Sequence, residues 1–357
     1  MRSATWLSAS PESDACLGWN RQFDTVGKRG QDESAAIRQT TATMTMPEHA
    51  ARRRIGWQEV PPRVRSAIEA TLGSGVVEAH TQEGGFSPGA AVRLRLANGN
   101  TAFVKALGVD IHEFSVQLYR TEAATMAHLP AGLPVPRLLD VYDDGNWIAL
   151  VYEEIDGRRP AIPWRMDELG RVEGMLAALS DALHPSPWQD APTFAEVNGD
   201  FMEAWRQLAL EPPHDIDPGL RRHLARLIEQ GTDLAAIISG DALLHTDIRS
   251  DNILLTSNGG VVLLDWGWTC KGAPWLDVVL FGTTVNAEGG ADAEQLVLRH
   301  PATANVPSGA IDAVLLAAAA NYWGLSQLPE QPALPGFSRA YQRAFAEATL
   351  RWVDRRG

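Results

Sequence analysis

The chain has 357 residues, enough for two domains or for two lobes of one enzyme. Hydrophobic residues make up 45% of it and charged residues 21%, which is ordinary for a globular protein. The net charge of -13 argues against a nucleic-acid binder, which needs clustered lysine and arginine, and it is compatible with a cationic substrate.

The two cysteines and the apolar runs exclude several further classes of protein. Cys16 and Cys270 lie far apart and neither belongs to a metal-binding spacing, so we predict neither a disulfide framework nor a zinc site. Cys270 is expected to be a small buried residue. The longest apolar run, at 313–320, is too short for a membrane span and predicts a packed helix. The N-terminus lacks the order of a secretory signal, so we expect a cytoplasmic protein.

The N-terminal residues 1–47 differ from the rest of the chain. They are rich in Ser, Thr, Gly, Gln and Asp and carry no persistent helical or strand period, which predicts a largely disordered extension. Met44 and Met46 stand just before the ordered pattern begins. One hypothesis is that translation starts there.

Residues 48–152 predict a small, sheet-rich N-terminal lobe. A helix opened by proline is expected at 61–72, and strand-like runs follow on both sides of a glycine-rich turn. Asn98-Gly99 is a hairpin signal between two of these runs. A helix is expected around the segment YRTEAATMAHL, and WIALVY at 147–152 predicts a buried strand.

Residues 158–357 predict a larger, mainly helical lobe, joined to the first by a hinge at 153–157. Leucine and valine recur every three or four residues between Leu169 and Leu183, which is typical of one apolar helix face. A β-like island lies at 242–265. The further predicted helices cover 194–209, 219–238, 309–326 and 337–354.

The strongest chemical signal lies inside that island. His245, Asp247 and Asn252 fit the pattern H-x-D-x-x-x-x-N, and Asp265 opens an Asp-Trp-Gly triplet after an apolar strand. In-line phosphoryl transfer needs a carboxylate beside the incoming hydroxyl and oxygen ligands that hold Mg²⁺ on the phosphates. Asp247 can supply the first, and Asn252 and Asp265 the second. His245 is expected to brace the loop as a core histidine rather than to take part in catalysis.

These motifs resemble those of the aminoglycoside phosphotransferase family, small-molecule kinases related to the protein kinases. The resemblance covers roughly residues 55–350 and rests on HTDIRSDN, the DW element and GAPWLD at 272–277. It implies an α+β, two-lobed protein-kinase-like fold with a small antiparallel sheet and a larger helical lobe. It also implies ATP and Mg²⁺ as cofactors. Asp277 would begin a helix and anchor the catalytic loop by hydrogen bonds.

The nucleotide side is predicted in the N-terminal lobe. A loop without bulky side chains lets backbone N–H groups approach phosphate oxygens. In the resembled family a strand lysine contacts the α- and β-phosphates, which indicates Lys105, and a helix glutamate pairs with it. Glu122 fits that role better than Glu113, which is only eight residues past the lysine. Backbone groups near Glu153 to Ile155 should bind the adenine edge. The residues expected around the phosphates are Gly84, Gly85, Ser87 and Gly89.

The predicted function is phosphorylation of a hydroxyl group on a small antibiotic or metabolite. Nucleic acid, membrane and obligate protein partners are not expected. A protein kinase is disfavoured, because only residues 268–276 separate Gly267 from Asp277 and leave no room for a long activation segment. A catalytically silent nucleotide binder is the remaining alternative. The tryptophans at 266, 268 and 275 are expected to pack under the cleft, with substrate stacking as the other possibility.

Overall fold

A computed structural model of the chain describes residues 54–82, 87–229, 231–329 and 339–356, with only the backbone of Asp200. The predicted N-terminal extension and the alternative start at Met44 or Met46 lie outside these residues. The described part has a five-stranded antiparallel sheet followed by a larger, mainly helical region. The predicted α+β class with two unequal lobes is therefore confirmed.

The sheet of the first lobe has the strands β1 Val76–Thr81, β2 Ala90–Leu96, β3 Thr101–Gly108, β4 Leu138–Asp143 and β5 Trp147–Tyr152. It is antiparallel throughout, in the order β1-β2-β3-β5-β4. The hairpin predicted at Asn98-Gly99 joins its second and third strands, and the Asn100 N–H donates to Asn98 Oδ1 in the turn. All six residues of the strand predicted at 147–152 are buried.

Two helices pack against this sheet, and the second of them also contacts the second lobe. Helix α1, Pro62–Leu72, begins at a proline that needs no N–H donor there, and buries Val64 and Ile68. Helix α2, Val109–His128, is longer than predicted because it starts directly at the end of β3. Val116 and Tyr119 on α2 pack with Leu107 and the β5 side chains. The helix therefore reaches from the sheet to the catalytic region.

The second lobe is built mainly from helices. The predicted stripe between Leu169 and Leu183 is buried in one large core, as expected for an amphipathic helix. The apolar run at 313–320 lies inside a buried helix, and Cys270 is fully buried, as predicted. The helices are α3 Met166–Ala182, α4 Phe194–Val197, α5 Gly199–Leu210, α6 Pro218–Glu229, α7 Leu234–Ile238, α8 Leu276–Glu288, α9 Ala293–Arg299, α10 Ser308–Gln327 and α11 Arg339–Arg356.

Two predicted helices are interrupted in the structure. The helix expected at 194–209 breaks at Asn198, whose φ of -114° and ψ of 43° are not helical. The helix expected at 219–238 ends at Glu229, and Gly231 takes a left-handed φ of 63°. Asp233 then caps α7 by accepting from the Ala236 N–H. The apolar spacing continued across both breaks, so periodicity alone did not reveal them.

Short strands in the second lobe hold the predicted β-like island. Strand β7, Ala242–Leu244, pairs with β10, Cys270–Gly272. Strand β8, Ile253–Thr256, pairs with β9, Val261–Leu263, and with a two-residue strand β6, Gly157–Arg158. The connections between these strands carry the candidate catalytic residues.

Arg356 fixes the end of α11 to two other helices. Its guanidinium lies 2.5 Å from Glu294 on α9 and 2.5 Å from Asp312 on α10. The Arg356 side chain is only 5% exposed, whereas both acids are about one-third exposed. We expect Arg356→Ala to lower the free energy of unfolding by about 2 kcal/mol, between the values of exposed and fully buried pairs.

Chemical denaturation of purified protein would measure this loss. Arg355→Ala is the matched control, since Arg355 is exposed and, among the described residues, donates only to Asn286 Oδ1. An equal loss in both variants would contradict the assignment.

None of the described helices combines the length and apolar character required to cross a membrane.

Candidate active site

Asp277 holds the main chain that leads to the catalytic loop. It lies in the first turn of α8, and its two carboxylate oxygens accept from the N–H groups of His245 and Thr246, both at 2.8 Å. Thr246 has a left-handed φ of 62°, which costs free energy in a β-branched residue. Its hydroxyl donates to the Trp268 main-chain oxygen. The predicted hydrogen bonds from Asp277 are present, and they hold a strained backbone in place.

His245 is buried and braces the loop. The Asp247 N–H donates to His245 Nδ1, so the ring proton is on Nε2, which lies 2.8 Å from the Leu264 main-chain oxygen. Burial lowers the pKa of His245 to about 4, although the Leu264 oxygen acts in the opposite direction. The ring is therefore neutral and connects the catalytic loop to the segment that ends at Asp265.

Asp247 and Asn252 lie next to each other, as the motif predicted. The Asn252 Nδ2 group donates to the main-chain oxygen of Asp247 at 2.9 Å and to its Oδ2 at 3.2 Å. Burial raises the pKa of Asp247 to about 7, against the opposing effects of Arg249 and Asn252. A carboxyl group with that pKa can both take up and release a proton near neutral pH.

Arg249 is a site residue that the sequence analysis missed. Its Nη1 donates to Asp247 Oδ1 at 2.8 Å, and its Nε and Nη2 donate to the two carboxylate oxygens of Asp251. The side chain is almost fully buried, so the guanidinium compensates two neighbouring carboxylates. The sequence did carry a signal for this role, since Arg249 is a single arginine between two aspartates in a loop flanked by apolar strands.

Asp265 lies where the second lobe meets the sheet of the first. Its backbone φ is 67°. Among the described residues, Asp265 and Thr246 are the two non-glycine residues with a left-handed φ. The carboxylate is 46% exposed, and its Oδ1 accepts from Lys105 Nζ at 2.7 Å. Loss of water around the carboxylate opposes its negative charge, but the Lys105 ammonium outweighs this effect and lowers the pKa of Asp265.

Lys105 is paired with two carboxylates. It lies on β3. Its Nζ is 2.5 Å from Glu122 Oε2 on α2 and also contacts Asp265. Burial works against its charge, but Asp265 and Glu122 raise the pKa of Lys105 well above its usual value. Tyr152, at the end of β5, donates to Glu122 Oε1. Glu113, the alternative partner, is exposed to solvent.

The predicted phosphate-contacting loop is only partly described. Gly84 and Gly85 lie outside the described residues, whereas Ser87 and Gly89 are placed just before β2. A Cβ atom at Gly89 would stand 2.7 Å from the Ala106 main-chain oxygen, so only glycine fits this close approach of two strands.

Glu153 and Ile155 follow the last strand of the sheet. The Glu153 N–H donates to the Arg137 main-chain oxygen, so that group is already engaged. Within the described residues, no hydrogen bond involves the Glu153 carbonyl or the Ile155 N–H. This leaves one acceptor and one donor on neighbouring backbone for a ligand.

The three tryptophans near Asp265 differ in exposure. Trp266 and Trp275 are buried in the large core, in agreement with the packing role predicted for them. Trp268 is half-buried, and its ring lies 5.7 Å from that of Phe114, which projects from α2 and is 55% exposed.

Asn252 and Asp265 are the two residues predicted to hold a metal ion. Among the described residues, no group of three or more histidine, cysteine, aspartate or glutamate side chains has the arrangement of a metal site. Asn252 uses its amide nitrogen on Asp247, which leaves its Oδ1 without a described donor. Asp265 likewise keeps Oδ2 without one. Such a donor set suits Mg²⁺, which usually takes one or two protein oxygens together with phosphate oxygens and waters.

Glu288 is a second acid with a displaced pKa beside the catalytic loop. It accepts from the Ser250 hydroxyl at 2.5 Å and from Trp164 Nε1 at 2.7 Å. Burial raises the pKa of Glu288 to about 7, although both donors oppose the rise. The folded state therefore holds a proton on Glu288 that the unfolded state releases above the ordinary carboxyl pKa. The free energy of unfolding consequently falls as the pH rises towards 7.

We expect Glu288→Gln, which resembles the protonated acid, to gain stability relative to wild type between pH 5 and pH 8. The relative gain should be on the order of 1–3 kcal/mol. Thermal unfolding of both proteins across this range measures it. A difference in melting temperature that stays constant with pH would contradict the assignment.

The family match gives the class of protein, which is a phosphotransferase. Residues 109–306, more than half of the chain, match the phosphotransferase enzyme family. The chain therefore belongs to the phosphotransferase enzyme family. No protein with a curated description matches it.

Solved structures show the same fold. LicA in complex with AMP is 17% identical with a TM-score of 0.55, covering 83% of this chain and 99% of LicA. Choline kinase LicA from Streptococcus pneumoniae is 16% identical with a TM-score of 0.51, covering 81% and 98%. A thermostable mutant of aminoglycoside phosphotransferase APH(4)-Ia, in ternary complex with AMP-PNP and hygromycin B, is 15% identical with a TM-score of 0.53, covering 83% and 99%. At these identities the likeness establishes the fold alone.

Proposed function

We propose that this protein transfers the γ-phosphoryl group of ATP to a hydroxyl group of a small molecule. The observation that carries the proposal is the position of Lys105, which bridges Glu122 in the first lobe and Asp265 in the second. Asp265 is tied through the Leu264 oxygen and His245 to the loop that carries Asp247. A phosphate-binding cation, an accessible carboxylate and a proton acceptor are thus held in one connected arrangement.

ATP would bind between a first lobe at 48–152 and a second lobe at 158–357, with 153–157 as the hinge. The Glu153 carbonyl and the Ile155 N–H offer an acceptor and a donor to the adenine edge. Lys105 would contact the phosphates, held in place by Glu122. The main chain at Gly84, Gly85, Ser87 and Gly89 would approach the phosphate oxygens.

Asn252 and Asp265 are the residues that would hold Mg²⁺. When bound, the ion would compensate negative charge on the phosphate oxygens. Asp265 would meanwhile keep its contact with Lys105 through Oδ1, which orients the carboxylate at the junction of the lobes.

Asp247 would accept the proton of the acceptor hydroxyl. As the hydroxyl oxygen bonds to the γ-phosphorus, the bond from that phosphorus to the bridging oxygen breaks and ADP leaves. Arg249 and Asn252 hold the carboxylate in one orientation, which matters because small misplacements of a catalytic group cost much rate. The raised pKa makes Asp247 a stronger proton acceptor than an ordinary aspartate, and a value of about 7 still allows release of the proton to solvent at neutral pH.

The acceptor would be an aminoglycoside-like antibiotic or a metabolite. The net charge of -13 favours a cationic one. The fold does not select among acceptors, and the structural neighbours include a choline kinase and an enzyme crystallised with hygromycin B. If the acceptor is an antibiotic, the activity would confer resistance to it. A requirement for ATP would place the protein in the cytoplasm.

A panel assay tests the proposal. Purified protein is incubated with Mg²⁺, ATP and one acceptor at a time from amino-sugars, choline and macrolides, and ADP release is measured. ADP release with a particular acceptor, together with a phosphorylated product, is the expected result. Nucleotide binding without turnover on any acceptor would favour the catalytically silent alternative.

A further inference from the structure

Tyr119 lies on the same face of α2 as Glu122, one helical turn earlier, and is almost fully buried. Its hydroxyl donates to Ser87 Oγ at 2.9 Å, across to the segment that precedes β2. Its ring lies under Lys105, with Nζ 4.7 Å from the ring centre. A single side chain therefore contacts both the lysine and the segment expected to approach the phosphates.

Ser87 is the centre of a small hydrogen-bonded turn. Its Oγ also accepts from the Gly89 N–H at 3.2 Å. Gly89 leaves room for the tyrosine, because a Cβ atom there would stand 3.2 Å from the Tyr119 hydroxyl. The turn is held from the other side as well, since the Ile55 N–H donates to the Pro88 oxygen.

We propose that Tyr119 is a positioning residue for nucleotide binding, and that its hydrogen bond to Ser87 holds the Ser87–Gly89 backbone beside Lys105. This inference rests on the proposed function. Without the bond, the turn would have to be ordered when the nucleotide binds, and part of the binding free energy would be lost to that ordering. The loss concerns the phosphates, because the Ser87 turn adjoins Lys105 rather than the backbone at Glu153 and Ile155.

Tyr119→Phe removes the hydroxyl and keeps the ring under Lys105. Loss of one hydrogen bond predicts a dissociation constant for ADP, with Mg²⁺ present, that is about 3- to 10-fold higher. The dissociation constant for adenosine, which has no phosphate, should not change. Ser87→Ala should weaken ADP binding at least as much, because Ser87 Oγ also accepts from Gly89.

The double variant should bind ADP no more weakly than Ser87→Ala alone, since both substitutions break the same bond. Isothermal titration calorimetry measures the affinities, and thermal unfolding checks that the variants remain folded. Tyr142→Phe and Ser74→Ala are matched controls in the same lobe: Tyr142 donates to Asp144 and Ser74 accepts from the Asn98 N–H.

Three results would overturn the proposal: unchanged ADP affinity in Tyr119→Phe, an equal loss for ADP and adenosine, or additive effects of the two substitutions. If wild-type protein bound neither ADP nor adenosine, the proposed function itself would fail. If it bound both and the variants bound them equally well, only the role of Tyr119 would fail.

Discussion

Replacing Asp247 with asparagine should lower the rate of phosphoryl transfer by about 10²- to 10⁴-fold, the usual contribution of a general base. Asparagine has nearly the same shape but cannot take up the acceptor proton. Its oxygen can still accept from Arg249 Nη1, so the buried guanidinium keeps a partner. Asp247 does not contact Lys105 in the structure, and we therefore expect the affinity for ADP to stay within about 3-fold of wild type.

Asp241→Asn is the matched control for this experiment. Asp241 lies just before β7, is largely exposed and contacts His184. Both variants would be assayed for ADP release with the acceptor that wild type uses and, separately, for ADP affinity. A rate for Asp247→Asn close to that of Asp241→Asn would exclude Asp247 as the base.

Replacing Lys105 with methionine should destabilise the protein by about 3 kcal/mol and strongly weaken ADP binding. Methionine fills a similar volume but leaves Glu122, which is only 3% exposed, without its cation. The Tyr152 hydroxyl remains as a donor to that carboxylate. The stability loss arises because a buried charge without a partner is costly, and it is separate from the loss of a phosphate contact.

The destabilisation by Lys105→Met should grow as the pH rises from 5 to 8. Burial already raises the pKa of Glu122 in the wild type, and loss of the ammonium raises it further. The folded variant then retains a proton that the unfolded chain releases above the ordinary carboxyl pKa, so stability falls with increasing pH. Chemical denaturation at the two pH values measures this.

Two further variants separate the causes of the Lys105 effect. Lys271→Met is the control, because Lys271 Nζ donates to the Gln189 main-chain oxygen rather than to a carboxylate. The double variant Lys105→Met with Glu122→Gln removes the unpaired charge and should recover much of the stability, but not the affinity for ADP. A double variant as unstable as Lys105→Met would show that Glu122 is not the source of the loss.

The sequence by itself determined the features that depend on neighbouring residues. Alternation and turn chemistry predicted the β2–β3 hairpin and the buried strand at 147–152, because these patterns arise within a few residues. The loop from His245 to Asn252 and the triplet at Asp265 were visible for the same reason. Local spacing could not show the breaks at Asn198 and Gly231, since the apolar period runs across both.

The tertiary structure alone decided which distant residues meet. Glu122 and Glu113 were both candidates in sequence. They lie nine residues apart on opposite faces of α2, so the helix buries Glu122 against Lys105 and exposes Glu113. Only the folded chain brings the Tyr119 hydroxyl to Ser87. Burial, together with the nearby charges of Asp251 and Asp265, explains why Asp247, an ordinary aspartate in sequence, has a pKa of about 7. Contacts across the chain and the loss of water around a charge depend on three-dimensional packing, which no local pattern encodes.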